Sequence, residues 1–196
     1  MDNQVRRAIE VLSQGGIIIF PTDTAFGIGC RLDKPQSVER LFTLRERPLT
    51  QAMPVLVDSI DMALAYLDRP SDIVRRMMQA HWPGGLTIVA PCKKKLVYSP
   101  IRGGGETIGV RQPDHETTIS IIRGAGVPIL GSSANFHGKT TPFTFADLDP
   151  ELTALVDYVV PGVGKTTTAS TVVDTTRTPA VVIRQGAVLL REDELL

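Results

Sequence analysis

Four short polar clusters contain the residues of this sequence that are best suited to chemistry. They are PTDTAFGIG at 21–29, LRERP at 44–48, ETIGVR at 106–111 and GSSANFHG at 131–138. Each combines hydroxyl, amide or guanidinium groups with glycine or proline, close to the end of a predicted strand or helix. Arginine and hydroxyl donors are well suited to carboxylates and phosphates. Anion binding is therefore one interpretation of these clusters.

Each cluster also has a structural explanation that involves no ligand. The hydroxyls and glycines at 21–29 suit an ordinary turn after a strand. Arg45 and Arg47 stand at the end of a predicted helix, where arginines complement the negative end of the helix dipole. Thr107 and Arg111 share one face of a strand, which suits anion binding but equally the solvent face of an edge strand. Taken one at a time, the clusters do not identify an activity.

The stretch PGVGKTTTAS at 161–170 contains the Gly-Lys-Thr with which a nucleotide-binding P-loop ends. A P-loop needs its first glycine at the position of Val159. The residues after Lys165 are β-branched and predict a strand, whereas a P-loop is followed by a helix. We therefore expect no P-loop here, and Lys165 at most as an auxiliary phosphate contact.

Other catalytic chemistries have little support in the sequence. The three histidines are scattered and show no metal-ligand spacing. Ser133 lacks the Gly-x-Ser-x-Gly elbow of a hydrolase, and neither Cys30 nor Cys92 has an obvious base partner. We expect neither a protein metal site nor nucleophilic hydrolysis.

The composition is that of an ordinary globular protein. The 196 residues are 42% hydrophobic and 21% charged, with 21 basic and 21 acidic side chains, so a wholly basic nucleic-acid binder is not indicated. The apolar run at 15–21 is too short for a membrane span or a signal peptide. Two separated cysteines match no zinc or disulfide framework. We expect one domain, residues 1–196, that is soluble, cytoplasmic and not membrane-bound.

Helical and strand-like patterns alternate along much of the chain and predict an α/β or α+β domain around one mixed, twisted sheet. Predicted helices lie near 5–12, 35–47, 59–67, 71–82 and 115–123. Predicted strands lie near 17–20, 53–57, 86–90, 107–111 and 127–132, followed by DYVV, STVVD, AVVIRQG and AVLL. Residues 91–105 are rich in proline, glycine and lysine and predict a mobile surface loop.

Several segments, in order along the chain, resemble the YrdC-like family of threonylcarbamoyl-AMP synthases. They are PTDTAFGIGC, RERP, TIGVRQPDH, SSANFHG, and STVVD followed by AVVIRQGAV, and the resemblance runs from about Gly16 to Val188. It implies a twisted α/β sheet with flanking helices and a concave basic cavity. It also implies a nucleotidyltransferase that condenses L-threonine, bicarbonate and ATP into threonylcarbamoyl-AMP, with release of pyrophosphate, for the t6A modification of tRNA.

The same resemblance implies a set of site residues. The family's Lys-x-Arg and Ser-x-Asn motifs fall on Arg45, Arg47, Ser133 and Asn135, which would be catalytic. Arg45 departs from the family's lysine, and a planar guanidinium is not a conservative replacement for a compact ammonium. The residues that would hold ATP, accompanied by Mg²⁺, are Arg45, Arg47, Thr107, Asn135 and Arg184. Those that would bind L-threonine are Thr22, Arg111, Ser133 and Ser170, with Arg111 taking the carboxylate through a bidentate fork.

A rival interpretation is an RNA-binding or translation-associated paralogue without synthase activity. It depends on the family's basic surface and on Lys93, Lys94, Lys95 and Arg102 as a phosphate-binding strip. A short run of charges is more often a solvated loop. A contact with tRNA or double-stranded RNA, and downstream proteins that transfer the carbamoyl group to tRNA, are the macromolecular partners that the resemblance implies.

Overall fold

The computed structural model describes residues 2–196, which form six α-helices and ten β-strands in two sheets. The helices are α1 (Asn3–Ser13), α2 (Pro35–Leu44), α3 (Ile60–Tyr66), α4 (Asp72–His81), α5 (Glu116–Ala125) and α6 (Pro150–Leu155). The strands are β1 (Ile18–Phe20), β2 (Gly27–Gly29), β3 (Val55–Leu56), β4 (Leu86–Pro91), β5 (Thr107–Arg111), β6 (Ile129–Leu130), β7 (Ser132–Ser133), β8 (Tyr158–Val159), β9 (Thr171–Asp174) and β10 (Val181–Arg184).

The predicted mixed α/β class is confirmed, but the strands form two mixed sheets instead of one. The four-stranded sheet has the order β7-β2-β1-β8, with β1 antiparallel to β2 and parallel to β8. The six-stranded sheet has the order β10-β9-β4-β5-β3-β6 and also mixes parallel and antiparallel pairs. Long-range pairing of short strands decides this division, and sequence periodicity does not report such pairing.

The predicted strand at 127–132 is divided between the two sheets at Gly131. Strand β6 pairs with β3 in the larger sheet, while β7 pairs with β2 in the smaller one. A Cβ atom on Gly131 would lie 2.3 Å from the Cγ of Leu56, so only glycine fits where the chain crosses. The crossing brings Ser132 and Ser133 up to the end of β3.

Helix α1 follows from its sequence pattern. Val5, Ala8 and Leu12 recur at helical spacing and are buried. The helix ends before Gly15, whose φ of +85° is a conformation that glycine adopts readily. These side chains pack with residues of α5 and β1 in one of two apolar clusters. The larger cluster contains the buried side chains of α2, α4 and the six-stranded sheet. The packing in both clusters fixes the positions of the strand ends that carry the polar residues.

Two segments differ from the sequence prediction. Residues 91–105 are not a loose surface loop, because Val97 and Ile101 are buried and Ile101 accepts a hydrogen bond from Met53 N at 3.0 Å. The predicted strand AVLL at 187–190 is irregular, because the backbone N–H of Val188 donates to the side-chain hydroxyl of Thr171 in β9 at 3.0 Å and not to a backbone carbonyl. Strand β2 was not predicted, since its Gly-Ile-Gly sequence has little strand propensity.

Among the helices within residues 2–196, none has both the length and the apolar character that a membrane crossing requires.

Candidate active site

A cleft lined by both sheets holds most of the polar clusters. It encloses about 770 Å³ of empty space, which includes open solvent at its mouth. The loop after β1, the end of α2 and β7 form one side, and strands β3, β4 and β5 with the ends of β9 and β10 form the other. The predicted site residues that line the cleft are Thr22, Arg45, Arg47, Arg111, Ser133, Ser170 and Arg184. The fold therefore brings together seven of the nine predicted residues.

Arg45 is a buried cation at the end of α2. Only 2% of the residue is exposed. Its guanidinium donates to the Asn135 carbonyl at 2.9 Å, to the Ser132 hydroxyl at 2.8 Å and to the Asn135 side-chain oxygen at 3.3 Å, all neutral acceptors. Burial, helped by the nearby charge of Arg47, lowers the pKa of Arg45 to about 10. An anion in the cleft would relieve that electrostatic cost.

Two further arginines point cationic groups at the same cleft. Arg47 donates to the carbonyls of Gln51 and Ala52, and Arg184 donates to the carbonyl and the hydroxyl of Ser170 at 3.0 and 2.9 Å. Burial lowers the pKa of each of these arginines. Within residues 2–196, Arg45, Arg47 and Arg184 form no ion pair with a carboxylate. Their charges remain available for an anionic ligand.

Arg111, by contrast, is already paired. It ends β5 and is buried, and its guanidinium donates to the carbonyl of Gly84 at 2.9 Å, to the Thr24 hydroxyl at 2.7 Å and to the carboxylate of Asp23. Burial lowers the pKa of Arg111, and the charge of Asp23 opposes that effect. The cleft thus has one charge-balanced cation beside three unbalanced ones.

The hydroxyl of Thr22 is committed to its own loop. It donates to the carbonyl of Ala25 at 2.6 Å and accepts from the backbone N–H of Thr24 at 3.0 Å. Since its proton is used, the Thr24 hydroxyl must be the donor in the 3.2 Å contact between the two side chains. A ligand at Thr22 would meet its methyl group or its backbone, and not its hydroxyl oxygen.

Two serines complete the polar lining. Ser133 lies on β7 at the wall of the cleft, and Ser170 precedes β9. The Ser170 hydroxyl lies 3.0 Å from that of Thr87 on β4 and accepts a hydrogen bond from Arg184 on β10. It therefore connects β4 to β10 at the cleft. This network fixes the position of Arg184 at the cleft.

The structure does not bring Thr107 or Asn135 to the wall of the cleft. Thr107 begins β5 opposite Pro91, roughly 13 Å along the strand from Arg111 at 3.3 Å per residue. The side-chain nitrogen of Asn135 donates to the carbonyls of Phe136 and Lys139, and its oxygen accepts from Arg45. Asn135 thus acts on the cleft through Arg45.

Sequence reasoning missed five polar residues at the site. Thr24, Thr87, Ser132 and Thr141 line the cleft, and Asp23 holds Arg111. Asp23 and Thr24 lie inside the PTDT motif, and Ser132 lies in the SSAN motif, so the motifs could have indicated them. Thr87 is the polar residue in the otherwise apolar strand Leu86 to Ala90, and this is the signal that the sequence offers for it.

The segment 161–170 borders the cleft without forming a P-loop, as predicted. No helix follows Lys165 before β9 begins at Thr171. The Lys165 amine lies 2.7 Å from Asp114, the Val163 carbonyl contacts the ring of His115, and the Thr166 hydroxyl donates to the carbonyl of Asp23. The segment therefore lies over the loop at 22–24, with Ala169 and Ser170 at the rim of the cleft.

Within residues 2–196, no three His, Cys, Asp or Glu side chains come together as a metal-binding group. The carboxylate of Asp23 lies next to the cleft, but it already forms an ion pair with Arg111. The protein side chains therefore do not fit a metal site of their own.

Comparisons with known proteins give the relatives of this chain. The Sua5/YciO/YrdC family model, described as "Telomere recombination", matches residues 10–186. A threonylcarbamoyl-AMP synthase of Pseudoalteromonas translucida is 32% identical over 174 residues, which cover 87% of this chain and 92% of that protein. A threonylcarbamoyl-AMP synthase of Bacillus subtilis is 28% identical over 197 residues, which cover 98% of this chain and 56% of that protein. The chain thus spans about half the length of the longer relatives that it matches.

A solved structure supports the same relationship. The crystal structure of Pyrococcus abyssi Sua5 complexed with L-threonine superposes with a TM-score of 0.86 at 27% identity. The superposition covers 93% of this chain and 54% of that one. Because the family model matches most of the sequence and the folds agree, the chain belongs to the Sua5/YciO/YrdC family.

Proposed function

We propose that this protein is a threonylcarbamoyl-AMP synthase that uses L-threonine, bicarbonate and ATP. The observation that carries the proposal is the distribution of charge in the cleft. Within residues 2–196, Arg45, Arg47 and Arg184 have no carboxylate partner, while Arg111 is balanced by Asp23 and contacts the Thr24 hydroxyl. A triphosphate suits the first group of residues, and a zwitterionic amino acid suits the second. The names of the relatives, and the L-threonine in one solved structure, support this assignment.

The proposed reaction has two bond-forming steps. The ammonium of L-threonine first loses a proton to solvent. Its amino nitrogen then attacks the carbon of bicarbonate, and loss of water leaves a carbamate. A carbamate oxygen then attacks the α-phosphorus of ATP, the bond from that phosphorus to the bridging oxygen breaks, and pyrophosphate leaves. This is a nucleotidyl transfer, in which positioning and neutralisation of developing charge contribute most of the catalysis.

Each side chain has a role in this proposal. Arg45, Arg47 and Arg184 neutralise the phosphates, and the two free N–H groups of Arg111 bind the carboxylate of L-threonine. Ser133 and Ser170 flank the amino acid, and Thr22 contacts it through its methyl group or backbone. Asn135 acts by orienting Arg45, and the position of Thr107 gives its proposed contact with ATP no support. Mg²⁺ would enter on the phosphates of ATP, which is how many nucleotide enzymes hold it.

We propose that residues 1–196 act as one catalytic domain in the cytoplasm, where the product is passed to proteins that complete t6A on tRNA. Cys30 and Cys92 are both buried and free, and free thiols suit a reducing compartment. The lysine strip of the RNA-binding alternative has weaker support. Lys93 donates to the Ala65 carbonyl and Lys94 pairs with Glu106, so these amines are engaged within the fold.

A direct assay tests the proposal. The purified protein is incubated with ATP, L-threonine, bicarbonate and Mg²⁺, and pyrophosphate and the carbamoyl adenylate are both measured. We expect both products to depend on L-threonine, and to fall about a hundredfold in Arg47→Ala. Arg76→Ala, an exposed change on α4, is the matched control and should keep full activity. A folded protein that forms neither product would refute the proposal.

A further inference from the structure

The ion pair of Arg111 and Asp23 lies at the cleft, where Arg111 is part of the lining. The Asp23 side chain is 9% exposed, and within residues 2–196 its only ion pair is with Arg111. Its backbone carbonyl accepts a hydrogen bond from Thr166, which fixes the loop that carries it. Asp23 itself does not line the cleft. Burying a carboxylate costs free energy, so its presence at this position suggests a role.

Asp23 helps to leave Arg111 with a particular set of free donors. A guanidinium has five N–H groups. In Arg111, Nε donates to Gly84, one N–H of Nη1 donates to Thr24, and one N–H of Nη2 donates to Asp23. One N–H therefore remains on each terminal nitrogen. Two donors on two nitrogens can serve the two oxygens of one carboxylate.

Thr24 helps to fix the orientation of the Arg111 guanidinium. Its hydroxyl accepts from Arg111 and donates to Thr22, whose own proton is used by the Ala25 carbonyl. The guanidinium is thus held on three sides by groups that cannot reverse their roles without breaking another bond. Rotation of Arg111 towards the phosphates would break all three contacts.

Asp23 also sets the net charge of this end of the cleft. With Asp23 present, the pair carries no net charge, whereas Arg45, Arg47 and Arg184 remain unpaired. An amino acid brings equal positive and negative charge, but a phosphate group brings only negative charge. The balanced end therefore attracts a phosphate less strongly than the unbalanced end does.

On this basis, and on the proposed function, we propose that Asp23 is a positioning and selectivity residue. It orients the Arg111 fork towards the substrate carboxylate and keeps phosphate groups out of the amino-acid end of the cleft. The ligands discriminated are an amino-acid carboxylate and an inorganic or nucleotide phosphate. Loss of the carboxylate should convert a site for an amino acid into a second site for phosphate.

Equilibrium binding without turnover tests this proposal. Calorimetry measures the dissociation constant of L-threonine with and without a saturating concentration of inorganic pyrophosphate. In the wild type we expect pyrophosphate to occupy only the arginine end, so the constant changes by less than about twofold. In Asp23→Asn we expect L-threonine to bind about tenfold more weakly and pyrophosphate to compete with it directly.

Two variants separate this effect from a general loss of structure. Asp23→Glu keeps the charge but shifts the carboxylate, so L-threonine affinity should fall while pyrophosphate still does not compete. Asp114→Asn removes an exposed carboxylate that pairs with Lys165 and should behave as the wild type. A purely structural role for Asp23 would weaken both ligands in proportion and create no competition.

The results separate this proposal from the proposed function. If the wild type binds L-threonine but pyrophosphate already competes with it, only the role of Asp23 is overturned, and that measurement does not require Asp23→Asn to fold. Absence of competition in a folded Asp23→Asn also overturns it. If the wild type binds no L-threonine at all, the proposed function fails, and the role of Asp23 fails with it.

Discussion

Arg45 donates from its Nε to the backbone carbonyl of Asn135 at 2.9 Å, which ties the end of α2 to the loop after β7. Ser132 accepts a second bond from the same guanidinium, and the Asn135 side chain accepts a third. Arginine is thus matched to this structure, at a position where the resemblance implies lysine. A planar guanidinium can reach these three acceptors together, whereas the ammonium of a lysine cannot.

Arg45→Lys should therefore lower the free energy of unfolding by about 1–3 kcal/mol, because a single ammonium cannot satisfy all three buried acceptors. Urea denaturation measures the change. Arg47→Lys is the matched control, since Arg47 is half-buried and donates to two backbone carbonyls only, and its effect should be smaller. Equal losses in the two variants would contradict the structural role given to Arg45.

The buried charge of Arg45 predicts a strong response to anions. Burial lowers its pKa to about 10, so an anion that pairs with it should stabilise the folded state. At a hundred times its dissociation constant, pyrophosphate should raise the melting temperature by about 5–10 °C. In Arg45→Met most of that increase should be lost, whereas the exposed change Arg76→Met should leave it intact. An unchanged increase in Arg45→Met would place the anion elsewhere.

The sequence identified the strand and helix ends that form the site, because local patterns determine those ends. The periodicity of Val5, Ala8 and Leu12 predicted α1, and the β-branched run before Asp174 predicted β9. Seven of the nine predicted residues reach the cleft because each lies beside such an end.

Other features of the site could not be predicted, because they depend on contacts between distant residues. The division of 127–132 between two sheets depends on Gly131 passing Leu56. That Asn135 faces Arg45, and that Asp23 faces Arg111, follows from side-chain packing across 90 and 88 residues of sequence. Thr107 lies at the far end of β5 from Arg111, so its proposed contact with ATP stays a prediction.

The two ends of the cleft should respond differently to conservative changes. Arg111→Lys keeps a cation beside Asp23 but loses the fork, so L-threonine should bind about tenfold or more weakly while ATP affinity stays within about twofold. Arg184→Lys should show the reverse pattern. Calorimetry with each ligand measures both constants. Parallel losses of both ligands in Arg111→Lys would contradict the division of the cleft.

Lys165 should contribute little to nucleotide binding, despite its Gly-Lys-Thr context. Its amine is exposed and lies 2.7 Å from Asp114, and the residues that follow extend into β9. Lys165→Ala should change the dissociation constant of ATP by less than about twofold, as expected for an exposed ion pair outside the phosphate site. Arg184→Ala, measured in parallel, should weaken ATP binding much more. A loss in Lys165→Ala as large as in Arg184→Ala would restore a phosphate-binding role to this segment.

Asp157 should make part of the folding stability depend on pH. One of its oxygens accepts from the backbone N–H of Ile17 at 2.7 Å and from Arg40 at 2.6 Å, so it connects β1 to α2. The hydrogen bond from Arg40 holds the pKa of Asp157 below its ordinary value. The unfolded chain therefore binds the proton more readily, and the stabilisation is complete above the unfolded-state pKa, about 4, and is lost as the pH falls through the lower folded-state value. Asp157→Asn should cost about 0.5–1 kcal/mol at pH 7, because the ion pair is partly exposed.

Urea denaturation of both proteins in steps from pH 7 to pH 3 checks this expectation. The difference between wild type and Asp157→Asn should be constant down to about pH 5 and should shrink below that, because the protonated carboxyl resembles the amide. Glu192→Gln, an exposed change near the C-terminus, should leave the pH dependence as in the wild type. A difference that persists unchanged at pH 3 would mean that the hydrogen bond to Ile17, and not the charge paired with Arg40, carries the contribution of Asp157.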